Sequence, residues 1–372
     1  FIGGTSVYRS TDGFATPNNT LHIGGWKTGT TSPFFESYQN HHPDQHEFLF
    51  LSSNPNVMLT AGDGGVQRTE NCNATPVAWT SLNNGYQTTQ AYTAVIDRNA
   101  PGDNTIIGCF QDNANYFVNS ADTEDHWKIT NKVDCTIGWV ARDKAYYILS
   151  INGGQVAKCR LDDQGNVLAL RRIDPIGPKR EDYQFVTILA LDPSDDNVLY
   201  LPAANRLYRQ NDLANIALTG AWDTIAQGWT LLPDTTIGII SAVGVSRANP
   251  AHRVYVGTDS RRIYRIDIAH TGTPSMVQTS LPNVANNANV SCIAVDPDNA
   301  DRIIVAYSNY SVYSLWLSEN AGQTWQRVGG NLEANFSGSG NGPSIRWVSM
   351  LRFPDGSRKY FAATSAGLFS AD

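Results

Sequence analysis

Apolar residues in this chain alternate with polar ones over short runs, and the runs recur in groups at spacings of roughly 50 residues. The fullest form of the repeat is an apolar strand, a turn carrying Asp or Asn with Pro, a second apolar strand ending near Gly-x-Asp, and a third strand. FLFLSSNPNVMLTAGDGGVQRT (48–69), ILALDPSDDNVLYLPAANRLYRQ (188–210), SAVGVSRANPAHRVYVGTDSRRIYRI (241–266) and SCIAVDPDNADRIIVAYSNYSVYSLWLS (291–318) share it. YTAVIDRNAPGDNTIIGCFQDNANYFV (92–118) is a weaker copy, and SMLRFPDGSRKYFAATSAGLFSAD (349–372) closes the chain. Period-two Val, Ile, Leu and Tyr predict strands; Asn-Pro, Asp-Pro and Gly predict the turns. A fourth strand carrying Trp often follows, as in TPVAWTSL, DHWKIT, GWTLLP and QTWQRV.

A four-stranded unit cannot bury both faces by itself, so the copies are expected to stack around an axis. The expected fold is all-β: a single β-propeller domain over residues 1–372, built from four-stranded blades. First strands near residues 47, 92, 135, 187, 241, 291 and 346 count seven blades, the third being the divergent CTIGWVARDKAYYILSINGGQVAKCRL. The N-terminal FIGGTSVYRSTDGF reads as the later strands of a blade whose first strand lies elsewhere. It either closes the ring against the last blade or implies an eighth blade or upstream sequence.

Composition agrees with many short strands: charged residues are 16%, aromatics 10%, and there are 31 Gly and 17 Pro. A net charge of −7 without basic runs argues against nucleic acid and anionic lipid as partners, and no stretch nears the roughly 20 apolar residues of a membrane span. The start at Phe1, inside a strand, suggests a processed product and part of a larger secreted or cell-surface protein. Five cysteines without CxxC spacing argue against a zinc motif. Cys109 ends a second strand and Cys135 begins the next first strand, so a disulfide between them is geometrically possible, whereas Cys292 reads as a small buried hydrophobe. Sequons at Asn18, Asn73, Asn289, Asn309 and Asn335 are no more than chance supplies.

Two segments resemble the Asp-box of bacterial neuraminidase repeats, Ser-x-Asp-x-Gly-x-Thr-Trp: SENAGQTW (318–325), with Asn320 in place of Asp, and the shorter RSTDGF (9–14). The resemblance implies that such boxes lie on the turn between third and fourth strands and that Trp325 is structural. HHPDQHEFLFL (41–51), AGDGGVQRT (61–69) and GCFQDNANYFV (108–118) are similar to phrases of secreted sortilin-like and xyloglucanase-like repeat proteins, many exported by type 9 secretion. No arginine triad with a Tyr and Glu pair can be placed for sialidase chemistry. A xyloglucanase-like site would need two acidic residues across two propellers, and this chain reads as one.

Antiparallel geometry puts the start of each first strand beside the end of each second strand. Asp44 and His46 would therefore share one face with Asp63, Gln111, Asp112, Asn113, Asp259 and Arg261, with Asn205 and Asn309 at equivalent positions, around the axial opening. Asp44, His46 and Asp63 offer ligands for a cation such as calcium. Asp44, Asp63 and Asp112 are the candidate catalytic carboxylates, and His46, Gln111, Asp112, Asn113, Asp259 and Arg261 the candidate ligand-binding set. The structural alternative is that Asp63 and Asp112 hold turns while His46 bonds across to the next blade. His41 and His42 read as solvated residues of a polar loop. Trp26, Phe34, Phe35 and Tyr38, in the long segment 26–45, form either a sugar- or protein-contact lobe or a cap on the propeller.

The expected function is a non-catalytic extracellular module that binds protein or glycan, or joins other domains of its own protein or assembly. The alternatives are a glycoside hydrolase with paired axial carboxylates and a sortilin-like peptide receptor.

Overall fold

Short apolar runs cut by turn residues give short strands, and the computed structural model, which describes residues 1–31, 35–85, 89–131, 134–333 and 342–372, is built of them. An antiparallel pair, β1 (Ser6–Ser10) and β2 (Thr20–Gly25), comes first. Six four-stranded meanders follow. The first holds β3 (Gln45–Leu51), β4 (Asn54–Gly62), β5 (Gly65–Thr69) and β6 (Thr80–Ser81); the second holds β7 (Ala91–Ile96), β8 (Thr105–Phe110), β9 (Asn115–Asn119) and β10 (Lys128–Asn131). The third runs through β11 (Cys135–Val140), β12 (Tyr147–Ile151), β13 (Val156–Leu161) and β14 (Val167–Arg172). The fourth comprises β15 (Ala190–Leu191), β16 (Leu199–Ala203), β17 (Arg206–Gln210) and β18 (Trp229–Thr235). The fifth comprises β19 (Ile240–Val245), β20 (Val254–Thr258), β21 (Ile263–Ile266) and β22 (Met276–Gln278), and the sixth β23 (Val290–Asp296), β24 (Asn299–Tyr307), β25 (Leu315–Ser318) and β26 (Gln326–Arg327). The last sheet has three strands, β27 (Ile345–Arg352), β28 (Arg358–Thr364) and β29 (Gly367–Ala371). These are the blades of a β-propeller, seven with a first strand where the repeat places one and an eighth represented by β1 and β2.

Hydrogen bonds show which strands β1 and β2 are. Between β25 and β26, Ser318 Oγ accepts the Gly322 N–H (2.8 Å) and Asn320 Oδ1 accepts the Thr324 N–H (2.9 Å). Between β1 and β2, Ser10 Oγ accepts the Phe14 N–H (2.8 Å) and Asp12 Oδ2 the Thr16 N–H (3.1 Å). Residues 10–16 and 318–324 thus form the same turn, so β1 and β2 stand as the third and fourth strands of a blade.

Contacts divide the chain into two units: Phe1–Ile96, Gly102–Gly138 and Leu161–Val167 form one, and Asp97–Pro101, Trp139–Arg160 and Leu168–Asp372 the other. In the first unit, Val7 and Ile23 of the β1–β2 pair pack on Met58, Cys72, Val77 and Trp79 of the first complete blade. The buried Arg9 guanidinium reinforces this by donating to the carbonyls of Cys72 (2.6 Å) and Ala74 (3.0 Å). In the second unit one apolar cluster joins the β15–β18 and β19–β22 blades around Tyr200, Val254 and Val256. Another joins β19–β22 to β23–β26 around Tyr255, Val305 and Tyr307, and a third joins β23–β26 to β27–β29 around Ala306, Ile345 and Val348.

Two polar devices repeat between blades. An indole beside a fourth strand donates to a carbonyl of the preceding blade: Trp79 to Ile23 O (2.8 Å), Trp229 to Ile173 O (2.6 Å) and Trp325 to Ser280 O (3.0 Å). Trp325 is therefore structural. In the second unit, the buried Asp97, Asp192 and Asp296 each follow an apolar run and accept, on one oxygen, the N–H two residues on, from Asn99, Ser194 and Asp298. The other oxygen reaches another blade, bonding the Asp143 N–H (3.0 Å), His252 Nδ1 (3.0 Å) and Arg358 Nε (2.6 Å) respectively. Removing one partner of a buried charged pair leaves the other uncompensated. We expect Asp296→Ala to cost about 3 kcal/mol in urea unfolding at unchanged m-value. Asp296→Asn, which keeps the turn bond, should cost clearly less.

Candidate functional site

The polar groups singled out in the sequence meet in the first unit where two hairpins turn. Gln45 pairs with Gly62, so the residues just outside the pairing, Asp44 and Asp63, lie side by side, and the Asp63 N–H donates to Asp44 O (3.2 Å). The approach leaves no room for a side chain at position 62, where a Cβ would lie 2.3 Å from Asp44 O, nor at Gly64, where it would lie 2.1 Å from the His42 ring. His46 Nε2 sits 2.6 Å from Asp63 Oδ1. That bond, with the Asp63 charge, raises the His46 pKa, but His46 is 67% exposed, so the pair contributes little to stability.

Asp44 collects the electrostatics of the corner. Burial raises its carboxyl above the ordinary value, as do the charges of Asp63 and Asp112, while His42 and His46 oppose them. Asp112 comes from the second complete blade, where it takes a positive φ of 55°. Its carboxylate accepts from Gln111 Nε2 (3.0 Å), and Asn113 Nδ2 donates to Gln111 O (3.0 Å). Asp44, His46, Asp63, Gln111, Asp112 and Asn113 are thus brought to one corner of one unit. Its chemistry is that of a hydrogen-bonding surface with one carboxyl, Asp44, whose pKa is raised.

Several expectations need correction. His42 is not a free solvated ring: Nδ1 lies 2.8 Å from Pro43 O and Nε2 2.7 Å from Asp112 O. It bridges the two blades, the role expected of His46, which instead bonds within its own blade. A neutral ring can donate to only one of those two carbonyls. Sequence reasoning missed this residue because the pairing with residue 112 is a tertiary contact. His41 is not solvated either; it is buried, its ring packed at a tilt of 54° with its centroid 4.1 Å from that of the Trp79 ring, with Nδ1 accepting the Gly25 N–H (3.0 Å) and Nε2 against Thr60 Oγ1 (3.2 Å). Among the described residues no group of three His, Cys, Asp or Glu is arranged to hold a metal.

The remaining candidates belong to the second unit and are engaged locally. Asp259 Oδ1 accepts the Ile239 N–H (2.9 Å) and Arg261 Nη1 donates to Val284 O (2.8 Å). Asn205 Nδ2 reaches Thr236 O (3.4 Å), and Asn309 Oδ1 accepts the Asn289 N–H (2.6 Å). In the segment 26–45, Trp26 and Phe35 pack ring to ring at 5.0 Å and the Tyr38 hydroxyl donates to His22 O (2.7 Å); Phe34 and the Asn335 sequon lie outside the described residues. Cys109 and Cys135 are joined in a disulfide within the first unit, and Cys292 is buried.

The His41 bonds require a proton on Nε2 and none on Nδ1. Burial then pushes its pKa down to about 4. Both folded and unfolded states hold the ring neutral above about pH 6.5, so its contribution is constant there. Between roughly pH 6.5 and 4 the unfolded chain takes up the proton first, so stability falls, by roughly 3 kcal/mol in full. We expect His41→Asn to flatten that part of the stability–pH curve measured by urea unfolding.

No family model matches this sequence, and no curated protein matches it. Among solved structures, YCF48 from Cyanidioschyzon merolae is similar, with 12% identity and a TM-score of 0.49 over 93% of this chain and 97% of that one. That likeness says nothing about what this chain binds.

Proposed function

We propose that the chain is a non-catalytic, extracellular propeller module that binds a glycan or protein surface through the corner formed by His46, Asp63, Gln111, Asp112 and Asn113. The observation that carries this reading is that the corner's acid and base groups are already paired: Asp63 with His46, Asp112 with Gln111, His42 with two carbonyls. Groups so held are poor nucleophiles and good fixed hydrogen-bond partners for hydroxyls or amides. The Cys109–Cys135 disulfide supports an oxidising compartment. Neutral oligosaccharides are the first ligands to test, by chemical-shift perturbation of the Gln111, Asn113 and His46 side chains. Asp63→Asn together with Gln111→Ala should weaken binding by roughly 2 kcal/mol without altering the fold. Shifts confined to the second unit would overturn the proposal.

One observation favours a glycoside hydrolase instead: Asp44 holds its proton more tightly than an ordinary carboxyl while Asp63 and Asp112 stand near it. That is the environment of a general acid. Turnover of aryl glycosides abolished by Asp44→Asn would establish that alternative, and no turnover across a panel of such substrates leaves the binding reading in place.

A further inference from the structure

Two histidines that play no part in the polar corner meet in the second unit. His252, in the turn between β19 and β20, and His270, in the loop 267–275 between β21 and β22, pack ring to ring with centroids 3.8 Å apart at a tilt of 31°. The backbone brings them together, because the Ala269 N–H donates to His252 O (2.9 Å). On its other side His252 Nδ1 donates to Asp192 Oδ2 (3.0 Å), the buried carboxylate that follows β15 in the preceding blade. The loop is also held by Arg209 of β17, whose Nη1 donates to Ala269 O (2.9 Å) and Gly272 O (3.0 Å).

His270 is badly placed to carry charge. A charged imidazole donates from both ring nitrogens. His270 Nδ1 is buried and has no hydrogen-bond partner among the described residues, so a proton there would be stranded without an acceptor. Burial lowers the His270 pKa most, and His252 and Arg209 lower it further, while Asp192 and Asp195 from the turn after β15 oppose them. Tyr200 of β16 places its hydroxyl 3.5 Å from Asp192 Oδ2, and Asp267, at the start of the loop, is turned to Arg253 and Arg265.

We infer that the His252–His270 pair is an acid-sensitive latch on the loop 267–275, closed while His270 is neutral and released when His270 takes a proton. Opening moves the charged ring into water, away from His252 and Arg209, where both of its N–H groups find acceptors. Above about pH 6.5 His270 is neutral in the closed and the open loop alike, so closure does not vary with pH there. Below that the open loop takes up the proton first, and closure weakens as pH falls toward the lowered value of the closed form. The latch lies wholly within the second unit and stands whether or not the polar corner binds a ligand.

The test follows the imidazole NMR signals of the whole chain from about pH 8 to about pH 4, with hydrogen exchange of residues 267–275 measured in parallel and corrected for its intrinsic pH dependence. His270 is expected to titrate below the ordinary histidine range, and exchange in the loop to quicken more than about three-fold between about pH 7 and about pH 5. His252→Gln, which keeps a side-chain donor for Asp192 but carries no charge, should move the His270 midpoint upward and reduce the pH dependence of exchange. His270→Phe, which keeps an aromatic ring against His252 and cannot titrate, should abolish that dependence. If His252→Gln fails to fold, the wild-type titration and His270→Phe still decide. An ordinary His270 midpoint, loop exchange indifferent to pH, or a pH dependence that survives His270→Phe would overturn the inference.

Discussion

A four-stranded blade has two faces and no interior, and everything else in this structure follows from the need to cover them. Apolar clusters do most of the covering, but they are non-directional and would tolerate sliding. The buried aspartates supply direction. Asp296 binds its own turn through one oxygen and Arg358 of another blade through the other, so the turn of one repeat and the strand of the next are fixed by a single carboxylate. Asp97 and Asp192 do the same with different partners, a backbone N–H and an imidazole. The donor can vary because what is conserved within the chain is the buried acceptor, and any donor placed there satisfies it.

The same tight turns place the polar corner. Asp44 and Asp63 are neighbours because a strand entry and a strand exit abut in any antiparallel hairpin, and His42 reaches Asp112 because successive blades stack. Much of the corner's hydrogen-bonding capacity is spent internally, which holds its side chains in one arrangement. Preorganised polar groups of this kind suit recognition of hydroxyls and amides, and the raised Asp44 carboxyl is the one member whose chemistry reaches further.

Two histidines adjacent in sequence show how far local reasoning goes. His41 and His42 share a polar, proline-containing loop, and no periodicity separates them. In the folded chain His41 is enclosed by Gly25, Thr60 and Trp79, while His42 spans two blades. The glycines beside them carried a signal that could have been used: Gly62 and Gly64 are needed because Asp44 and His42 press against the backbone there. Cys109 and Cys135 were more legible, since both lie at strand ends that repeat geometry brings together.

Strand alternation, turn residues and repeat spacing by themselves determined the all-β class, the seven first strands, and the reading of the N-terminal pair as late strands of a blade, because these rest on local periodicity and backbone preference. Only the tertiary structure decided that His46 pairs with Asp63 and which histidine bridges blades. Those outcomes depend on side chains far apart in sequence competing for the same few hydrogen bonds and the same space, and a one-dimensional pattern does not encode which of them wins.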